Sequence, residues 1–168
     1  HINANYGKYL SRKKKLRVIF RGINIDYFSK KNISILKQEK IKKEWELLPN
    51  KFIILMPGRL TYWKGQEKFI EALNILVEDY NNFNFQAVVL GSDQGRKVYK
   101  KKLNDLMQRY RLNKKIKFIE HCKEMPVAYS LADVVVSASI EPEAFGRVSI
   151  EAQAMGKPII ASNLGGSK

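Results

Sequence analysis

The amino-acid sequence predicts a Rossmann-like α/β domain, a parallel sheet with helices on both of its faces. Two observations carry this expectation. Short apolar runs rich in Val and Ile alternate with stretches whose apolar residues recur every three or four positions, which is the pattern of βαβ units. The chain also has 168 residues, 45% of them hydrophobic, enough to enclose the core that such a sheet needs.

The elements follow in order from Phe52. Phe52-Ile53-Ile54-Leu55-Met56 is a continuous apolar run stopped by Pro57-Gly58, as expected of a strand covered on both faces. Phe69, Leu73, Leu76 and Tyr80 then share one face of a helix. Ala87-Val88-Val89-Leu90 is the next strand and stops at Gly91, after which Tyr99, Leu103, Leu106, Met107 and Tyr110 mark a second helical face. Lys117-Phe118-Ile119 reads as a strand, and a short helix begins near Pro126. Asp133 to Ser137 is a strand, a helix ends at Gly156, and Pro158 to Ala161 is the last strand.

Residues 51–168 are accordingly assigned to this domain. Residues 1–50 are assigned to an interdomain or linker region with a remnant of a preceding domain. They hold Ser11-Arg12-Lys13-Lys14-Lys15, the apolar stretch Val18-Ile19-Phe20, Gly22 and a polar segment through Asn50, and charge runs of this kind usually face water. The sequence opens on His1 and closes on Gly165-Gly166-Ser167-Lys168, so it is expected to be a piece of a longer protein.

Composition narrows the function classes. Lys and Arg total 31 against 16 Asp and Glu, a formal net charge of +15. That balance favours acidic partners: phosphorylated small molecules, nucleic acid or an anionic membrane surface. A single cysteine, Cys122, allows no internal disulfide, and with two histidines it makes a poor structural zinc site. A reducing, cytoplasmic compartment fits. No apolar run approaches the roughly 20 residues of a membrane-spanning helix.

In folds of this class ligands bind beyond the carboxyl ends of the strands. The first such loop is Gly58-Arg59-Leu60-Thr61-Tyr62-Trp63-Lys64-Gly65. Its two cations bracket a turn into a helix N-terminus, where free N–H groups and the helix dipole favour a phosphate or diphosphate. Lys64 precedes Gly65 and no Ser or Thr follows, so the Walker A pattern is absent. The second loop, Gly91-Ser92-Asp93-Gln94-Gly95, lets a ligand approach its backbone but fails the dinucleotide G-x-G-x-x-G spacing. In the third, Glu120 to Met125, His121 and Cys122 are adjacent, poor geometry for a thiol facing a base, which argues against cysteine catalysis.

The fourth loop is the most informative: Glu141-Pro142-Glu143-Ala144-Phe145-Gly146-Arg147, continuing to Glu151-Ala152. Amides at Phe145 and Gly146 can donate to sugar hydroxyls or phosphate oxygens. Glu143 and Glu151 are eight apart, about 80° beyond two whole helical turns. On a regular helix they lie on neighbouring faces and can address one ligand.

Taken in order, these loops resemble the C-terminal, nucleotide-binding domain of the retaining family 4 glycosyltransferases, which have the two-domain GT-B fold. The matching segments are Gly58-Arg59-Leu60 with Lys64-Gly65; Gly91-Ser92; Met125-Pro126-Val127-Ala128-Tyr129 with Ala132-Asp133; Glu143 and Glu151 around Phe145-Gly146; and Gly156-Lys157-Pro158-Ile159-Ile160-Ala161 leading to Gly165-Gly166. Upstream, Val18 to Asn24 is similar to the segment where such enzymes leave their N-terminal domain.

The resemblance implies transfer of a hexosyl-type sugar, with retention, from a UDP-, GDP- or ADP-sugar donor to a glycan or lipid-linked acceptor. It implies that Arg59 and Lys64 clamp the donor diphosphate beside Gly58 and that Glu143 faces the donor sugar near the anomeric centre. Glu151 would accept from the ribose hydroxyls, and Phe145 and Gly146 would donate backbone N–H groups. Gly91 and Ser92 would adjoin the donor, and the loop from Cys122 to Met125 would border its base. No D-x-D sequence occurs, so no cofactor and no obligatory metal are expected. The family's N-terminal domain, with its acceptor-binding residues, would be missing, and the fragment alone is not expected to turn over.

Two other readings compete. A basic nucleic-acid-binding module is motivated by the charge, but no RNA- or DNA-binding signature accompanies it, and nucleic acid is not an expected partner. A GT-B epimerase or phosphorylase keeps the fold and changes the chemistry. Peripheral contact of the basic first third with anionic lipid is a further expectation.

Overall fold

The computed structural model describes residues 21–80 and 82–167. The basic run at 12–15 and the Val18-Ile19-Phe20 stretch lie outside them. Five strands, β1 (Phe52–Pro57), β2 (Phe85–Leu90), β3 (Ile116–Ile119), β4 (Val134–Ser137) and β5 (Ile159–Ala161), form one parallel sheet in the order β3-β2-β1-β4-β5. Each expected strand from Phe52 onward is present.

Helices α1 (Ile35–Glu44), α2 (Gln66–Asp79), α3 (Lys97–Arg109), α4 (Met125–Leu131) and α5 (Arg147–Ala154) cover the sheet. Alternation along the strands sorts them between its faces. Ile54 and Met56 of β1 pack with Ala87 and Val89 of β2 against Phe69 and Leu73 of α2 and Leu103 and Met107 of α3. Leu55, Val88 and Val135 point the other way, toward Ile41 of α1, Tyr129 of α4 and Ala152 of α5. Leu55 sits between Val88 and Val135 in register, and all three are at most 1% exposed. The continuous apolar runs are therefore the signature of a sheet buried on both faces. Tyr80, expected on the buried face of its helix, is instead 63% exposed, because α2 ends at Asp79 and Tyr80 is its cap.

The polar segment through Asn50 is not solvated linker throughout. Phe28, Ile41 and Trp45 are buried in the same cluster as Leu55 and Val135. On α1, Gln38 donates to Ser130 Oγ at 2.9 Å, and Lys37 pairs with Glu124 at 2.7 Å. Buried Gln86 of β2 accepts from Leu48 N–H at 3.0 Å and donates to the Glu46 carbonyl at 3.3 Å. The charges that suggested a solvated run, Lys40, Lys42, Lys43 and Glu44, lie on the outer side of α1, while Ile41 and Trp45, four apart, turn inward.

Candidate functional site

Strand order reverses between β1 and β4, since α2 leaves β1 for one face and α5 leaves β4 for the other. A crevice opens at such a switch point, beyond the carboxyl ends of the two strands. The loops after β1 and β4 bind to each other there: Ile140 N–H donates to the Trp63 carbonyl at 2.9 Å, and Tyr62 hydrogen-bonds Glu141. Gly65, at φ 78°, starts α2 with its Cα against β4's exit; an added Cβ would lie 1.9 Å from the Ala138 carbonyl oxygen. Only glycine permits both the left-handed turn and this approach.

The cleft between the loops, about 610 Å³, is lined by Gly58, Arg59, Lys64, Glu143, Phe145, Gly146 and Glu151 among others. The structure thus brings together the residues that the sequence reading selected from the first and fourth loops. A concavity of about 580 Å³ at the opposite rim, near Lys51, Ile53 and Asp133, lies at the amino ends of the strands, away from these residues.

Lys64 Nζ stands 2.6 Å from Glu143 Oε1 and 4.5 Å from the centre of the Trp63 ring. The two side chains are only 14% and 11% exposed. The Arg59 guanidinium lies 5.9 Å from the same ring, so one indole holds both cations at the cleft wall. Arg59's carbonyl is in turn fixed by Gln66, fully buried, which donates to it at 2.9 Å and accepts from Tyr99 at 3.3 Å. Ser139 donates to Glu143 Oε1, the same oxygen that Lys64 holds. Oε2 has no hydrogen-bond partner among the described residues.

Burial raises the Glu143 pKa, but the hydrogen bonds from Lys64 and Ser139 and the charge of Lys64 outweigh it and hold the carboxyl below its ordinary 4.5. Because the folded value lies below the unfolded one, this group's contribution to stability is complete above the unfolded pKa and disappears as pH falls through the lowered folded value. The melting temperature of the protein is expected to drop more steeply between about pH 5 and pH 3 than that of Glu143→Gln. Parallel curves would show that the pair contributes nothing.

Glu151, on α5, is 5% exposed. Its Oε2 accepts from the Tyr129 hydroxyl at 2.8 Å, and its Oε1 accepts from Arg147 Nε at 3.1 Å and Nη2 at 2.8 Å. Glu143 is not on that helix, which begins at Arg147. Helical phase therefore does not bring the two acids together. The chain turns instead at Gly146, at φ 73°, and the Gly165-Gly166 turn braces the loop: Gly166 N–H donates to the Glu143 carbonyl at 2.7 Å, and a Cβ on Gly166 would lie 2.6 Å from the Phe145 backbone. The N–H groups of Phe145, Gly146, Arg147 and Val148 have no acceptor among the described residues, which leaves four donors at the cleft.

Three expected donor-site residues do not line this cleft. Gly91 packs on the loop after β1, where a Cβ would meet the Gly58 carbonyl oxygen at 2.1 Å. Ser92 accepts from Leu60 N–H through its carbonyl at 3.0 Å and from Gln94 N–H through its hydroxyl at 3.1 Å. Both brace the cleft wall without lining it. Cys122 lines a separate concavity against α1, beside Ile41 and Trp45, where burial pushes its thiol pKa up. Met125 does reach the site, in a second hollow that shares Arg21, Phe145, Arg147 and Glu151 with the first. Ser139, Trp63, Gln66, Tyr129 and Arg147 were not singled out from the sequence as site residues, although Tyr129 falls within one of the matching segments. Among the described residues, no group of three or more His, Cys, Asp or Glu could hold a metal ion, and no helix is long and apolar enough to cross a membrane.

The architecture and the sequence have known relatives. An uncharacterized glycosyltransferase of Methanocaldococcus jannaschii is 34% identical over 156 residues, covering 90% of this chain and 37% of its own length. The crystal structure of a glycosyltransferase from Rickettsia africae superposes with a TM-score of 0.86 at 36% identity, over 95% of this chain and 42% of that one. Anabaena HepE, solved in complex with UDP-glucose, gives 0.80 at 27% identity, over 98% of this chain and 44% of that one. The chain thus spans about two fifths of the length of these relatives. The model of the family "Glycosyl transferases group 1" matches residues 37–168, and with that sequence match laid over a Rossmann-like half of the GT-B fold, the chain belongs to this family.

Proposed function

We propose that the cleft is the donor site of a retaining, family 4 type glycosyltransferase and holds the diphosphate and sugar of a UDP-, GDP- or ADP-sugar. The observation that carries this reading is the convergence of Arg59, Lys64, Glu143, Glu151 and the Phe145-Gly146 amides on one cleft at the switch point of the sheet. Breaking a sugar–diphosphate bond develops negative charge on the leaving phosphate and positive charge at the anomeric carbon. Arg59, Lys64 and the unpaired amides answer the first, and the free Oε2 of Glu143 answers the second. Glu151 takes the ribose, and the hollow at Met125 takes the base. The solved complex of HepE with UDP-glucose supports the donor class.

Lys64 is paired with Glu143, so a diphosphate bound there competes for the ammonium. Transfer itself is assigned to the complete enzyme, in which the rest of the two-domain fold supplies the glycan or lipid-linked acceptor; half a cleft cannot orient both substrates. Cations take the role of a metal at the leaving group in this reading, and a cytoplasmic location with peripheral membrane contact belongs to it.

Calorimetric titration with UDP-, GDP- and ADP-sugars is the direct test. One nucleotide is expected to bind best. Salt-suppressed binding to any oligonucleotide, with no nucleotide-sugar binding, would replace this reading with a basic nucleic-acid module.

A further inference from the structure

The two partners of the Glu151 carboxylate differ in freedom. The Arg147 side chain, on Oε1, is 67% exposed and can turn into solvent. Tyr129, on Oε2, has no exposed surface; it is wedged into the core beneath α5, its ring meeting that of Phe28 edge-on at 6.0 Å. A carboxylate oxygen has two acceptor sites. Arg147 fills both on Oε1 with Nε and Nη2, whereas Oε2 keeps one beyond Tyr129. Burial, reinforced by the charge of Glu151, pushes the Tyr129 phenol pKa up, so the hydroxyl stays a donor.

A ribose presents two neighbouring hydroxyls, and a carboxylate that takes both must offer one site on each oxygen. Oε2 already does; Oε1 does so only when the guanidinium moves aside. We propose that Tyr129 is a positioning residue for nucleotide recognition, locking Glu151 in the orientation that receives the ribose diol, while Arg147 is a displaceable occupant of the oxygen that the diol requires. The inference rests on the donor-site reading above and adds to it the two residues that set its selectivity for ribose. Without the tyrosine hydroxyl, the terminal torsion of Glu151, which has broad minima of its own, is held from the solvent side only.

The test is calorimetric titration of the protein with UDP, GDP and ADP, and with the 2′,3′-dideoxy counterpart of whichever binds best. The parent protein is expected to prefer the ribonucleotide. Tyr129→Phe is expected to lower that preference about tenfold, as for loss of a hydrogen bond to a charged group. Its affinity for the dideoxynucleotide, which has no hydroxyl for Glu151 to receive, should stay within about twofold, because the diphosphate contacts do not involve Tyr129. Arg147→Leu is expected to raise the ribose preference, since no guanidinium then has to be displaced. A folded Tyr129→Phe protein with unchanged preference overturns the proposal, as does equal loss of affinity for both nucleotides, which is the mark of a merely structural role. Should Tyr129→Phe fail to melt cooperatively, Arg147→Leu decides: a raised preference supports the proposal, and an unchanged or lowered one overturns it. A parent protein that binds nucleoside diphosphates without regard to the ribose hydroxyls overturns this inference alone. One that binds none overturns the donor-site reading as well.

Discussion

Turnover by the complete enzyme carrying Glu143→Gln is expected to fall by about a hundredfold or more, the scale on which removing one preorganised electrostatic partner of a transition state acts. Donor affinity should hold or tighten. The amide is nearly isosteric with the carboxylate but carries no charge to set against the positive anomeric centre, so the loss falls on the transition state and not on the bound donor. It also releases Lys64 from its ion pair, leaving the ammonium free for the diphosphate. Turnover within about twofold of the parent enzyme would remove Glu143 from the proposed chemistry.

Lys64→Ala is expected to have two effects that can be separated. Glu143, 11% exposed at its side chain, keeps only Ser139 as a partner. Losing one half of a fully buried pair costs about 3–5 kcal/mol, and a pair on the wall of an open cleft should cost less, about 2 kcal/mol. Nucleoside diphosphate affinity should fall about tenfold or more with the loss of a charge-assisted contact to phosphate. The double variant Lys64→Ala with Glu143→Gln tells the effects apart: removing both charges should restore most of the stability, read from the urea midpoint, and none of the affinity. Affinity that returns together with stability would mean that Lys64 only supports the fold.

Much of this molecule was legible along the chain. Ile53 to Met56 and Ala87 to Leu90 are apolar and buried at every position, as in a strand covered on both faces, while Phe52 at the strand's start is 38% exposed; Phe69, Leu73, Leu103 and Met107 bury the helix faces that their spacing marks. Loops that follow such strands must meet at one rim, so Arg59, Lys64, Glu143 and Glu151 stand out in the sequence alone. The segment from 28 to 45 was harder to read. Ile35 and Leu36, its most obvious apolar pair, are 74% and 82% exposed, while the buried residues are Phe28, Ile41 and Trp45, spread among charges. Ser139 and Arg147 carried one usable signal each, a hydroxyl four residues before Glu143 and a cation four residues before Glu151, but neither says what it will touch.

Periodicity and loop order by themselves determined a parallel α/β sheet and the two loops that line its cleft, because both are properties of residues near one another in sequence. Partnership inside the cleft was decided by the fold. Lys64 meets Glu143 across 79 positions, and Tyr129 meets Glu151 across 22. Gly91 lies behind Gly58, bracing the cleft wall, and Cys122 lines a separate concavity against α1. Those outcomes depend on strand order, on left-handed turns at Gly65 and Gly146, and on which face each helix covers. A hydrogen bond requires its two atoms to come within about 3 Å, and that separation is set by the packing of whole elements and not by the spacing of residues along the chain.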